Sequence, residues 1–181
     1  MNCWKSINFT KEFGINRLYF LSFLIGLLSF IFLFVPLSSI HGTTHVNEFG
    51  IVPFVGLVIL MPTIHSSMHI LPLIMMNKRA KVYFNMKKSF IPTCKYQAKT
   101  FMSKPVSIMS AFAPTLFITI PGIFASMIFA DYYVYILLLT AIHIGASFTD
   151  FLYILHVSKA PKRAYIESEH EGFAILVKAK G

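Results

Sequence analysis

Charged residues are scarce in this sequence, and they are almost absent from four long stretches of it. Only 13% of the 181 residues are charged, whereas roughly a quarter is usual in a soluble domain. Hydrophobic residues make up 56%, which is more apolar surface than a soluble fold of this size can bury. The composition therefore argues against an ordinary soluble protein and favours a single domain, residues 1–181, embedded in a lipid bilayer.

Cysteine is rare as well, and acidic residues are outnumbered by basic ones. Cys3 and Cys94 are too few and too far apart for a disulfide framework or a C-x-x-C metal site. The net charge of +9 would suggest a nucleic-acid partner in a soluble protein. Here the basic residues lie between apolar runs, so we expect the lipid bilayer, and not nucleic acid, to be the partner.

Four apolar runs are each long enough to span a bilayer, which takes roughly 20 helical residues. They cover residues 18–40, 49–76, 106–130 and 134–157. A cleaved signal peptide is the alternative for the first run, but that run is too long for one and no small-residue cleavage site follows it. The sequence therefore predicts an all-α integral membrane protein with about four transmembrane helices. Pro53, Pro62 and Pro72 predict a kink or break in the second.

The basic residues all lie on one side of this pattern. Three precede the first run, eight lie in the polar segment 77–105 and five follow the last run, whereas the connections at 41–48 and 131–133 contain none. The positive-inside rule therefore places both termini, the 77–105 loop and the 158–181 tail in the cytoplasm, at the cell membrane. Within the loop, the stretches at 82–84 and 94–97 predict a small β-hairpin, with an irregular amphipathic loop as the alternative.

Ionisable side chains inside the apolar runs are the candidates for function, because a bilayer interior disfavours them. His65 and His69 are one helical turn apart, so they share a helix face and can offer two nitrogens to one metal ion. His143, Ser147 and Asp150 share a face of the fourth helix. Counted from the cytoplasmic helix ends, His69 and Asp150 both lie roughly 10 Å deep at ~1.5 Å per residue. Asp150 is therefore a candidate third ligand, of a type that zinc accepts.

The same residues admit other interpretations. Two histidines in a membrane helix can simply hydrogen-bond across helices, and Asp150 can pair with His143 or with a lysine. Buried histidine and aspartate side chains would also suit a proton or ion path in a small transporter or an accessory membrane subunit. Spacing alone leaves these alternatives open.

Five short pieces of the chain form a characteristic series. In order, they are His65-Ser-Ser-Met-His69, Ala113–Pro114, Ser147-Phe-Thr-Asp150, Lys159-Ala-Pro161 and Glu169-His-Glu-Gly172. Taken together in order and spacing, these pieces resemble a family of small bacterial membrane proteins described as zincin peptidases. The resemblance implies that His65, His69 and Asp150 are the ligands of a zinc ion, with Ser66, His143 and Ser147 as candidate supporting residues around them. The architecture is also similar in outline to intramembrane site-two metalloproteases, whose zinc lies inside the bilayer near its cytoplasmic face.

One departure from the family pattern bears on activity. The glutamate of the H-E-x-x-H motif is replaced by Ser66. In a zincin that carboxylate accepts a proton from the water that attacks the peptide carbonyl, and a serine hydroxyl cannot accept it at neutral pH. We therefore predict a degenerate relative without catalytic residues, which binds or regulates a membrane protein or peptide. An active intramembrane zinc metalloprotease with an unusual base, for which His143 is the candidate, is the alternative.

Overall fold

The computed structural model describes residues 2–42, 47–76, 80–85, 93–98, 101–169 and 172–177. Predictions for the basic residues at 78, 79, 87, 88, 99, 178 and 180 and for the acidic residue at 171 lie outside the described residues. The helices are α1 (Phe9–Phe13), α2 (Ile15–His41), α3 (Ile51–Met75), α4 (Lys104–Pro114), α5 (Ile120–Ile128), α6 (Tyr133–Ala146) and α7 (Phe148–Ser158). The strands are β1 (Asn2–Ile7), β2 (Ala80–Asn85), β3 (Thr93–Ala98), β4 (Met102–Ser103), β5 (Tyr165–Glu169) and β6 (Gly172–Val177).

Three helical segments are long and apolar enough to cross a membrane, namely Ile15–His41, Glu48–Met75 and Lys104–Ile128. A fourth consists of the segment Ala130–Ala146 and helix α7, which meet at an angle of 43°. These segments match the four apolar runs of the sequence. Their apolar side chains mostly face outward. In the most apolar 18-residue stretch of Ile15–His41 only 6% is buried, and in that of Glu48–Met75 only 11% is buried. Such surfaces are stable against lipid and unstable against water.

The second run was predicted to be kinked or broken, and it is not broken, because α3 continues through Pro62 and Pro72 to Met75. Pro53 lies in the first turn of α3, where the backbone N–H has no helical partner in any case. The irregular backbone lies in the third and fourth runs instead. A π-helical turn, Thr115–Thr119, separates α4 from α5, and the fourth run is interrupted at Ser147, between α6 and α7.

The prediction of an all-α protein was incomplete, since four strands form one antiparallel sheet in the order β1-β6-β5-β4. Ile7 of β1 lies opposite Phe173 of β6, and Met102 of β4 lies opposite Ile166 of β5. The sheet joins the N-terminal strand, the end of the polar segment and the C-terminal tail. All three therefore lie at the same end of the helices.

The polar segment 77–105 contains the predicted pair of strands. β2 and β3 are antiparallel, with Val82 opposite Tyr96 and Phe84 opposite Cys94. The two stretches that suggested a hairpin, 82–84 and 94–97, lie within these strands. The sequence therefore located this local element correctly.

The four-stranded sheet packs against the end of α7 through a cluster of buried apolar side chains. Ile7, Ile166 and Ile175 from the strands meet Val157 of α7, and all four are almost fully buried. Lys104, at the start of α4, donates from Nζ to the carbonyls of Ser158 and Ala160 at 2.7 and 2.6 Å, and so caps the C-terminal end of α7. These contacts fix α4 and α7 relative to each other at the sheet end of the bundle.

Close to the site, α2 crosses α6 at two glycines. A Cβ atom added to Gly145 would lie 2.6 Å from the carbonyl oxygen of Ser22, and one added to Gly26 would lie 3.2 Å from that of Ala141. The helix backbones therefore approach as closely as small residues permit. This crossing holds α6 in the position from which His143 contacts α3.

Candidate metal centre

The first two side chains of the site come from one face of α3. His65 and His69 are a turn apart, and their Nε2 atoms lie 3.3 Å from each other. His69 is buried, with 7% of its surface exposed, and His65 is slightly more accessible. Since α3 is continuous here, the spacing of four residues alone brings the two rings together.

Asp150 reaches the same point from the first turn of α7. Its Oδ2 lies 3.2 Å from Nε2 of His65, and its Oδ1 lies 3.6 Å from Nε2 of His69. The carboxylate thus presents one oxygen to each histidine. The ligand atoms of the three residues all lie within 4.8 Å of one another, so the structure brings together the three side chains that the sequence nominated.

The orientation of the His69 ring is set by α4. Nδ1 of His69 lies 2.9 Å from the backbone carbonyl of Ser110. A carbonyl can only accept, so the Nδ1 proton of His69 occupies this bond and the lone pair of the neutral ring lies at Nε2. The Ser110 hydroxyl donates in return to the carbonyl of His69 at 2.6 Å. This reciprocal pair directs Nε2 of His69 toward Asp150.

His65 is supported in a similar way by a chain of side chains. Its Nδ1 lies 3.1 Å from Nε2 of His143, whose Nδ1 lies 2.9 Å from Oγ1 of Thr119. When the lone pair of His65 is at Nε2, its Nδ1–H donates to His143, and the Nδ1–H of His143 donates to Thr119. His143 is fully buried, so these two partners hold its ring.

The other two sequence candidates have different positions. Ser147 is fully buried, but its hydroxyl donates to the carbonyl of His143 at 2.9 Å, at the interruption between α6 and α7. It therefore stabilises the bend between His143 and Asp150. Within the described part of the chain, Ser147 makes no hydrogen bond to His65 or His69. Ser66, directly after His65, is half-buried.

A scan against protein families matches residues 58–165 to the family described as "Putative zincin peptidase". The match covers more than half of the chain and contains all three converging residues. This chain belongs to that zincin-peptidase family. No match was found among curated proteins or among solved structures.

Membership of the zincin-peptidase family implies zinc, and the residues present fit it. Two imidazoles and a carboxylate form a donor set that zinc accepts, with bonds of about 2.0–2.2 Å that place ligand atoms roughly 3.3 Å apart. The observed separations of 3.2 to 3.6 Å match this spacing. In addition, Oδ2 of Asp150 is buried and accepts no hydrogen bond within the described part of the chain. A cation would satisfy this oxygen, which is otherwise costly to bury.

Zincin peptidases use a carboxylate base beside their metal, and among the described residues no second acidic side chain is grouped with His65, His69 and Asp150. Asp150 alone among the seven acidic residues of the sequence lies within one of the four apolar runs. Ser66, at the motif position of the base, has no hydrogen bond from its hydroxyl to any described residue. His143 is enclosed between His65 and Thr119, so neither of its nitrogens faces the space between the three ligands. The arrangement of His65, His69 and Asp150 can hold a cation.

Two residues of the site could not be found from the sequence. Ser110 contacts Nδ1 of His69 through its backbone carbonyl, which every residue possesses, and only its hydroxyl bond to the carbonyl of His69 depends on its being a serine. Thr119 faces His143 from the π-helical turn, and a π-helical turn shifts the facing positions away from ordinary helical spacing.

Proposed function

We propose that this chain is a membrane-embedded member of the zincin-peptidase family that binds zinc through His65, His69 and Asp150 and has little or no peptidase activity. The observation that carries the proposal is the convergence of these three side chains, with ligand atoms within 4.8 Å of one another. Its role is then to bind or regulate a membrane protein or peptide. When bound, zinc would supply a Lewis acid to that site.

Two features support a location inside the bilayer. The site lies between apolar helices whose outward faces are largely exposed, and it is about two turns of α7 from the sheet. The sheet gathers the N-terminal strand, the end of the polar segment and the tail at one end of the helices. All sixteen basic residues precede the first apolar run, lie in the polar segment 77–105 or follow the last run, so the positive-inside rule assigns the sheet end of the helices to the cytoplasm.

The serine at position 66 supports a non-catalytic role. General acid–base help contributes roughly 10²–10⁴-fold to a rate, and Ser66 replaces the carboxylate that supplies it in a zincin. The backbone of α3 is regular at this point, so a glutamate at position 66 would start from the same helical position. The substitution Ser66→Glu therefore tests whether the site lacks only this group.

The experiment combines metal content and cleavage. Purified protein in detergent should contain one zinc per chain, and Asp150→Asn should lose most of it, whereas His156→Asn, a histidine bonded to the backbone of its own helix, should not. In a cleavage assay with membrane-protein substrates, the parent should be inactive and Ser66→Glu should gain activity. Parent activity that survives Ser66→Ala but is lost in His65→Ala would show an active peptidase with another base, and would contradict the proposal. Protein without zinc would contradict it as well.

A further inference from the structure

Pro114 is the last residue of α4 and comes immediately before the π-helical turn. In a regular α-helix the N–H of residue 114 would donate to the carbonyl of residue 110. Proline has no N–H, and its ring pushes against the carbonyl four residues earlier. The carbonyl of Ser110 therefore has no helical donor at position 114. The next backbone N–H, that of Thr115, bonds to the carbonyl of Phe112 instead.

The carbonyl released in this way is the one that His69 uses. Ser110 has 1% and His69 has 7% of its surface exposed, so bulk water is not the partner of either group. Buried backbone carbonyls are nearly always hydrogen-bonded, and Nδ1 of His69 lies 2.9 Å from this one. The donor that α4 lacks at Pro114 is thus replaced by a donor from α3.

We propose that Pro114 is a positioning residue for the metal centre, because it reserves the carbonyl of Ser110 for Nδ1 of His69. That bond keeps the proton on Nδ1 and leaves the Nε2 lone pair facing Asp150 and His65. The inference rests on the proposed zinc-binding function for its effect on affinity, but its effect on the tautomer of His69 is independent of zinc. Outer hydrogen bonds of this kind fix the ring orientation of histidine ligands in metal sites.

Another helix-interior proline provides the matched control. Pro36 lies inside α2, and the residue four positions before it, Phe32, is 75% exposed and lies outside the metal centre. Replacing Pro36 by alanine restores a helical N–H in the same way, without a histidine at the released carbonyl. If restoring a helical N–H were by itself enough to change zinc binding, Pro36→Ala and Pro114→Ala should therefore change it equally.

The first test is zinc affinity, measured by competition with a chromophoric chelator on the full chain in detergent micelles. Loss of an outer hydrogen bond to a histidine ligand typically weakens metal binding ~10–100-fold, and we expect a weakening in this range for Pro114→Ala. Pro36→Ala should bind zinc as the parent does. The thermal transition of zinc-free Pro114→Ala should not fall below that of the parent, because the change restores a helical hydrogen bond. Equal zinc affinity of Pro114→Ala and the parent would overturn the inference.

The second test is the ring tautomer of His69, from ¹⁵N NMR of zinc-free protein labelled at histidine, with His69→Gln to assign the signal. The parent should carry the proton on Nδ1, and Pro114→Ala should show a share of rings with the proton on Nε2. A proton on Nε2 in the parent would overturn the inference, and this result decides even if Pro114→Ala does not fold. A parent that lacks zinc but has the Nδ1–H tautomer would contradict the proposed function and leave the role of Pro114 supported.

Discussion

Nε2 of His65 and Oδ2 of Asp150 lie 3.2 Å apart, although the two residues belong to α3 and α7 and are separated in sequence by the polar segment and the third apolar run. The same carboxylate reaches His69 through its other oxygen. The two helices therefore meet where three side chains are close enough together to hold a metal ion. The support around these ligands determines how well they hold one.

His143 should strengthen zinc binding without being a ligand. Replacing it with leucine removes the acceptor for Nδ1–H of His65, so the ring of His65 can rotate or change tautomer. We expect His143→Leu to weaken zinc binding ~10–100-fold. His143→Gln retains a side-chain acceptor and should recover a large part of this loss. Dissociation constants from chelator competition measure both variants, and a His143→Leu protein with parental affinity would show that His65 needs no such support.

Gly145 should be intolerant of a larger side chain. A Cβ atom there would lie 2.6 Å from the carbonyl of Ser22, so Gly145→Ala must separate α2 from α6 at an estimated cost of about 1–3 kcal/mol in unfolding free energy. Gly56 in α3 is the control, because a Cβ atom there meets nothing within 4 Å. Gly56→Ala should be neutral, or stabilising by roughly 0.5–1 kcal/mol through helix propensity. Thermal unfolding in detergent compares the two, and an equally tolerated Gly145→Ala would mean that the helices do not cross this closely.

The orientation in the membrane can be tested with reporter fusions. Fusions after residue 42 and after residue 131 should report the external side, since neither connection contains a basic residue. Fusions near residue 90 and at the C-terminus should report the cytoplasm. An external signal from the 77–105 segment would reverse the assignment and place the sheet outside.

Local patterns in the sequence predicted the parts of the site that depend on local geometry. The spacing of His65 and His69 is sufficient to place both on one helix face, and a count of helical residues placed Asp150 at a similar depth. The order of the apolar runs likewise located four helical segments. The stretches 82–84 and 94–97 located the paired strands β2 and β3, which are near neighbours in sequence. Membership of the zincin-peptidase family, predicted from motif order, is confirmed by the family match.

Non-local contacts escaped the same reasoning. β1 pairs with β6 across almost the whole chain, and short strands of this kind have no periodicity that identifies their partner. The prolines of the second run suggested a kink or a break, and α3 shows no break, whereas irregular backbone directly follows Pro114. A proline can interrupt a helix or merely remove one of its hydrogen bonds, and the position of a proline in the sequence does not separate these two outcomes. The ligand roles of His65, His69 and Asp150 stay a prediction until a metal is measured.

The most direct test of the central claim is X-ray absorption at the zinc edge, on parent protein and Asp150→Asn purified side by side. The account predicts about one zinc per parent chain, with a first shell of nitrogen and oxygen ligands at ~2.0–2.2 Å and the outer-shell scattering of two imidazoles. Asp150→Asn should contain much less zinc or show an altered first shell. Parent protein without zinc, a shell with sulfur at ~2.3 Å, or an unchanged spectrum and zinc content in Asp150→Asn would contradict a site built from His65, His69 and Asp150.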